Sequence, residues 1–338
     1  MKQIVLAALM LSTPAAALAD ASGDMIKEVV EEHILPRFDQ LAGTSGALAE
    51  VAAQDCEPSS PALREAYDTA FDAWIAASHL RFGPTEVGDR AFALAFWPDS
   101  RGATPRTLAE LIASRDPIAQ NVEDYGEVSI AARGFYALEF LLYDSTLMSA
   151  GDAEYHCALV KTITADIANT TQDVLGDWAS RYAETILHPS ETGTYRSEEE
   201  SLQELFKALA TGLQFTSDTR LGRPLGTFDR PRPTRAEARR SGRSSQHVTV
   251  SLTSLRELGA MLSGDDAELA KSIDDSFSKA LADLGKLDDP VFASVASPAT
   301  RLKVEIIQQD VDAIRAHVRE ELGPTLGVAA GFNSLDGD

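Results

Sequence analysis

The 338-residue chain carries 52 acidic against 30 basic residues, a formal net charge of −22. So acidic a protein is a poor candidate to bind nucleic acid or anionic lipid and suits cations or cationic partners better. Its 44% hydrophobic content supports a substantial core, and its length allows one large or two medium domains.

Met1-Lys2-Gln3 gives a minimal positive start, Ile4 to Leu11 an apolar run too short to span a bilayer, and Pro14 a break before Ala17-Leu18-Ala19. That order predicts a signal peptide over residues 1–19, cleaved before Asp20. No cysteine follows the apolar run, so no lipid anchor is expected there. No later segment reaches the roughly 18 unbroken apolar residues of a membrane helix. The expectation is an exported protein without a membrane span.

Helical periodicity dominates the remainder, with long runs of Ala, Leu, Glu and Arg, and the predicted fold class is all-α. A helix predicted from Asp24 to about Gln54 puts Val29, Val30, Ile34, Phe38 and Leu41 on one face, with Gly43 and Gly46 as candidate kinks. Pro61 opens a second, in which Tyr67, Phe71, Trp74 and Ile75 recur until Gly83-Pro84 stops it. After the irregular Phe96-Trp97-Pro98-Asp99, predicted helices over 107–114 and 128–144 complete a first group of four, an N-terminal bundle over residues 20–150. A second group over residues 151–338 is predicted to hold helices at 154–187, 198–219, 244–262, 265–284 and 298–322. Two successive groups of similar size suggest an internal duplication, although no residue-by-residue repeat is visible.

Between the helices of the second group, residues 220–243 are interrupted by Gly222, Pro224, Gly226, Pro231 and Pro233. Arg220, Arg223, Arg230, Arg232, Arg235, Arg239, Arg240 and Arg243 make this stretch a basic island in an acidic chain. Irregular segments of that length are often functional, so it is a candidate wall of a site. Cys56 and Cys157 are the only cysteines. In an oxidising compartment the pair is predicted to be bridged, tying the two halves together, and its wide spacing does not read as a zinc site.

Four landmarks follow one another along the chain: Phe96-Trp97-Pro98-Asp99 with Arg101; Gly134-Phe135-Tyr136-Ala137-Leu138-Glu139; Gly222-Arg223-Pro224-Leu225-Gly226 with Arg240-Ser241-Gly242-Arg243; and Gly331 to Asp338 at the end. Together they resemble the imelysin family of bacterial exported proteins, over almost all of the mature chain. The resemblance implies two four-helix-bundle domains packed together, a functional cleft where they meet, a periplasmic location and a part in iron acquisition. The family's older description is as metal-dependent peptidases. Its signature is Gly-x-His-x-x-Glu, and here Tyr136 replaces the histidine while Gly134 and Glu139 are kept.

Tyr136 and Glu139, three apart, project from one helix face, with Phe135, Leu138 and Leu142 turned away toward a core. A phenolate with a carboxylate is a hard oxygen pair suited to ferric iron, whereas the alternative is a buried tyrosine hydrogen-bonded to Glu139. Asp99 is a candidate cleft residue that Arg101 could pair with. Arg240 and Arg243 are candidates to hold Glu139 or an anionic ligand such as a haem propionate or ferric chelate. His79, at the end of an aromatic-rich helix, is a further candidate for the cleft. The other histidines are scattered, and no His-Glu-x-x-His occurs. The terminal Asp336-Gly337-Asp338 reads by itself as a frayed acidic tail, and the resemblance implies instead that it packs near the domain junction. The function expected is iron or haem handling, with iron or an iron-containing ligand bound in the cleft. The alternatives are a metal-dependent peptidase, or an interaction scaffold that docks an outer-membrane or redox partner through its arginines.

Overall fold

The computed structural model describes residues 15–328. The predicted signal peptide up to residue 14 and the last landmark, Gly331 to Asp338, lie outside the described residues. Among the described residues there is no β-strand, only one isolated bridge between Thr227 and Arg230. No helix among them is long and apolar enough to cross a membrane.

Helix α1 (Ala15–Glu28) runs through a π turn at Val29–Ile34 into α2 (Leu35–Gln54). The chain stays helical through Gly43 and Gly46, so the irregularity lies earlier than those glycines suggest. The predicted face holds: Val29, Val30, Ile34, Phe38 and Leu41 are all fully buried. Next come α3 (Pro61–Ala77), α4 (Ala103–Ser114), α5 (Gly134–Tyr143) and α6 (Ala153–Asp177). They are followed by α7 (Glu198–Gln214), α8 (Ser244–Leu262), α9 (Ala267–Gly285) and α10 (Pro298–His317). Several starts are fixed by side-chain caps: Ser60, Asp152, Ser197 and Asp266 each accept from a backbone N–H three residues on. Further π turns extend α6, α7 and α10, at Trp178–Tyr182, Phe215–Leu221 and Val318–Leu322.

Packing divides the helices elsewhere than at the expected break between residues 150 and 151. Helices α2, α3, α5 and α6 form one four-membered ring of neighbours, and α7, α8, α9 and α10 form a second. Helix α6 therefore sits with the N-terminal helices, while α1 packs on α7 in the second ring. The first helical segment spans both rings, with its π turn at the crossing, and α3 against α8 joins them further along. Arg37, on the first turn of α2, reinforces the junction by bonding to Ser254 and Glu257 of α8.

Cys56 and Cys157 are bridged, with Cα atoms 5.2 Å apart. Contrary to the expectation, the bond does not tie two halves together. It fastens the α2–α3 connection to the first turns of α6, within one ring. Because it closes a loop of sequence separation 101, Cys56→Ser with Cys157→Ser should lower unfolding free energy by about 2–4 kcal/mol in chemical denaturation, with the same fold before the transition.

His33, in the first π turn, meets His79 just after α3, Nε2 to Nε2 at 2.9 Å. Burial, with help from Arg37 and Arg220, pulls His79 down to about 3; burial, His79 and Arg37 also lower His33. Both rings are neutral in the folded protein but take up protons in the unfolded chain near pH 6.5. Their contribution is complete above pH 6.5 and is lost as the pH falls toward 3. His79 alone should withdraw about 2 kcal/mol by pH 5. Urea unfolding at pH 7 and pH 5 measures this; His79→Gln should flatten the pH slope by about that amount.

Candidate functional site

The segment 96–105, helix α5 and the irregular stretch 223–240 enclose a pocket of about 210 Å³. Of the residues singled out in the sequence, Asp99, Tyr136, Glu139 and Arg240 line it. Trp97, Phe140, Arg223 and Arg235 complete its walls. Trp97, which precedes a cis peptide to Pro98, stacks on Tyr136 at 6.1 Å between ring centroids, and the Arg223 guanidinium lies 5.8 Å above the Trp97 ring. Trp97 and Arg223 belonged to the sequence landmarks without being singled out as site residues.

Gly134 serves this site through the backbone. It begins α5 at φ +73°, and a Cβ there would lie 2.2 Å from the Leu94 carbonyl oxygen, so only glycine lets the helix start against that strand of chain. Over the first two turns that follow, Phe135 and Leu138 enter the core, while Tyr136 and Glu139 face the pocket, as their spacing predicts.

The partners of these two residues differ from those expected. The Tyr136 hydroxyl donates to Glu237 Oε1 at 2.5 Å, not to Glu139. Glu237 Oε2 accepts from Arg220 Nε at 2.8 Å, and Arg220 also bonds to Ser251 and Ser78. Arg220 points inward because the π turn Phe215–Leu221 adds a residue to the last turn of α7 and re-aims its side chains. Glu237 and Arg220 are 2% and 3% exposed, so the pair is shut away from water. Burial alone would raise the Glu237 carboxyl, but Arg220, His247 and Tyr136 outweigh it and hold it at about 2. His247 Nδ1 sits 3.4 Å from Glu237 Oε2 without hydrogen-bond geometry. Burial, then the charge of Glu237, pushes the Tyr136 phenol well up, which disfavours a phenolate.

Glu139 accepts from both the backbone N–H and the hydroxyl of Ser241, each at 3.0 Å. Burial pushes its carboxyl up, opposed by Ser241 and by Arg240. Arg240 does not clasp Glu139; its Nε donates to Asp144 at 3.0 Å and its guanidinium covers the Phe140 ring at 3.6 Å. Arg243 lies away from the pocket, between Asp68 and Asp72 of α3. Asp99 accepts from the backbone N–H groups of Arg101 and Thr104, so it organises its own loop instead of pairing with the Arg101 side chain, which is exposed. Burial would raise Asp99, but the surrounding backbone donors hold it below the usual carboxylate range. His79 is buried against His33 and does not reach the pocket. Among the described residues no three His, Cys, Asp or Glu side chains are grouped so as to hold a metal ion.

The sequence reading missed Glu237 and His247. Glu237 carried a signal nonetheless, being the only acid between Arg230 and Arg243. Arg223 and Arg235 stand out for the opposite reason: among the described residues neither has an acidic partner, and Arg223 Nε is buried without a hydrogen bond. Burial, then the like charge of Arg235, weakens the hold of Arg223 on its proton.

The imelysin family model matches residues 34–318. The chain belongs to the imelysin family. Its relatives include the iron-regulated protein A of Synechococcus elongatus, 21% identical over 324 residues, covering 88% of this chain and 85% of that protein. Among solved structures, an imelysin-like protein from Psychrobacter arcticum 273-4 has a TM-score of 0.79 at 20% identity, covering 97% of this chain and all of that one. A structure described as that of an iron-regulated protein A precursor from Parabacteroides distasonis has a TM-score of 0.74 at 14% identity, covering 89% and 94%. These likenesses fix the fold. In this member of the family the Tyr136 hydroxyl is bound to Glu237.

Breaking a buried ion pair strands the partner charge, which costs about 3–5 kcal/mol. Glu237→Leu should therefore lose about that much stability, and adding Arg220→Met should recover most of it, as read by urea unfolding.

Proposed function

We propose that this imelysin is an exported, periplasmic iron-handling protein that receives iron as a small anionic complex in the pocket walled by Trp97, Tyr136, Arg223 and Arg240. The observation that carries the reading is the pair of guanidiniums, Arg223 and Arg235, that line the pocket without acidic partners in a chain holding 52 acids to 30 bases. Where acid is in excess, internal pairing is the default, and an arginine left unpaired in a concave site is available to a carboxylate or phosphate. The Trp97 ring beneath Arg223 limits the ways in which an anion can approach that cation.

Delivery as a complex fits the side chains better than a bare ion. The Tyr136 hydroxyl and Glu139 Oε1 already have protein partners, and the Tyr136 phenol is held protonated. At about 210 Å³ the pocket lies under the ~300–1,000 Å³ usual for drug-sized ligands, which favours a compact polycarboxylate chelate over a haem. The names of the relatives, iron-regulated protein A in two organisms, support the iron connection, and the signal-peptide reading supports export.

Calorimetric titration of the mature protein with ferric citrate tests this. Saturable binding is expected, and Arg223→Ala with Arg235→Ala should weaken it by about 10- to 100-fold, the value of one or two charge-assisted bonds. Heat indistinguishable from that of an unrelated acidic protein, or an unchanged affinity in the double variant, would refute the proposal.

A further inference from the structure

The bond between Cys56 and Cys157 does not lie in the packed interior. Both cysteines are half-buried, and both line a pocket of about 220 Å³ that shares no residue with the one described above. Glu57, Met148, Asp152 and His156 form its walls. His156 is only 4% exposed, yet its Nε2 has no hydrogen-bond partner. His156 thus lines the cavity and carries a buried ring nitrogen with no protein partner, the kind of atom that is ordinarily satisfied by some other group.

Burial lowers the pKa of this imidazole, against the opposing effect of a bond to the Leu141 backbone. The ring is thus neutral near pH 7, and with its other nitrogen engaged by Leu141, Nε2 is the end that carries the free lone pair. Exchange needs access to a sulfur and a thiolate to attack it; a half-buried disulfide and an unpartnered imidazole lining the same cavity supply the first and would assist the second by taking the proton of the attacking thiol.

We propose that Cys56–Cys157 is an exchange-active disulfide, reduced from this pocket by a small dithiol with His156 as the proton carrier. The first thiol gives its proton to His156 Nε2 and its sulfur attacks one sulfur of the bridge. The electron pair of the S–S bond leaves on the other cysteine sulfur, which takes the proton from the imidazolium. The second thiol of the donor then attacks the mixed disulfide, freeing the remaining cysteine as its thiol and leaving the donor as its own disulfide. Two electrons and two protons pass from the dithiol to the bridge. Reduction unfastens the α2–α3 connection from α6 while the helices on either side keep their packing.

The experiment uses the oxidised mature protein under native conditions, with dithiothreitol as the dithiol and tris(2-carboxyethyl)phosphine as a control, and counts freed thiols by alkylation and mass spectrometry. The phosphine attacks sulfur without giving up a proton, so it reports access alone. Reduction by dithiothreitol is expected to be first order in reagent and about tenfold or more slower in His156→Gln, while the phosphine rates of the two proteins agree. In the unaltered protein the dithiothreitol rate should also fall by clearly less than the roughly tenfold per pH unit of free thiolate attack between pH 8 and pH 6, because the histidine supplies the base. Three outcomes overturn the proposal: a rate independent of dithiothreitol concentration, which means reduction only through unfolding; equal dithiothreitol rates in both proteins; or both reagents slowed alike by His156→Gln. Should the variant not fold, the pH profile of the unaltered protein decides alone, and a full tenfold fall per unit overturns it.

Discussion

The salt bridge between Arg220 and Glu237 is the constraint on which the candidate site depends. Two charges removed from water are tolerable only when their remaining donors and acceptors are satisfied. Here the satisfying groups come from every side: Tyr136 from α5, Ser251 from α8, Ser78 from just beyond α3. The consequence is geometric. An irregular stretch rich in glycine and proline has little of its own to hold it in place, yet residues 236–238 are buried because Glu237 must lie against Arg220. With Glu237 fixed, Ser241 falls beside Glu139 and the basic wall of the pocket is placed.

The same interaction accounts for the asymmetry of charge along the chain. An island of arginines in an acidic protein looks like a docking surface, but most of its inward members are spent internally. Arg220 answers Glu237, Arg240 answers Asp144, and Arg243 answers Asp68 and Asp72. Of the five without an acidic partner among the described residues, Arg223 and Arg235 line the pocket, while Arg230, Arg232 and Arg239 lie outside it. Local surplus, not the total of arginines, therefore gives the pocket its positive wall.

Much of the fold was legible because helix periodicity is a local property. Helix α8 was read to the residue at both ends, and the buried faces of the first two helical segments were correctly assigned. Tyr136 and Glu139 shared a face, and with Asp99 and Arg240 they share a pocket. The π turns were not legible, since one added residue per turn leaves the composition and the apolar spacing almost unchanged. Nor was the grouping of helices: chain order put α6 with its followers, whereas packing and the disulfide put it with its predecessors. Partner identities failed for the same reason. Glu237 is 101 residues from Tyr136, His33 is 46 from His79, and no spacing rule reaches that far. His79 and Arg243 were misplaced because an aromatic-rich helix end and a basic cluster mark burial and pairing as readily as a cleft.

The long-range closure of the pocket has a consequence in time. By residue 177 the chain holds all of α2, α3, α5 and α6 and can assemble the first ring. The loop bearing Trp97 and the helix bearing Tyr136 are then already present. The cationic wall is not, for it arrives some fifty residues later and is anchored by a bond spanning 101 positions. Closing so wide a loop is entropically slow and becomes favourable only once both ends are ordered. A chain that emerges from its N-terminus thus passes through a stage in which half the molecule is built and the pocket still lacks one wall, and its cationic side is the last part of it to be placed.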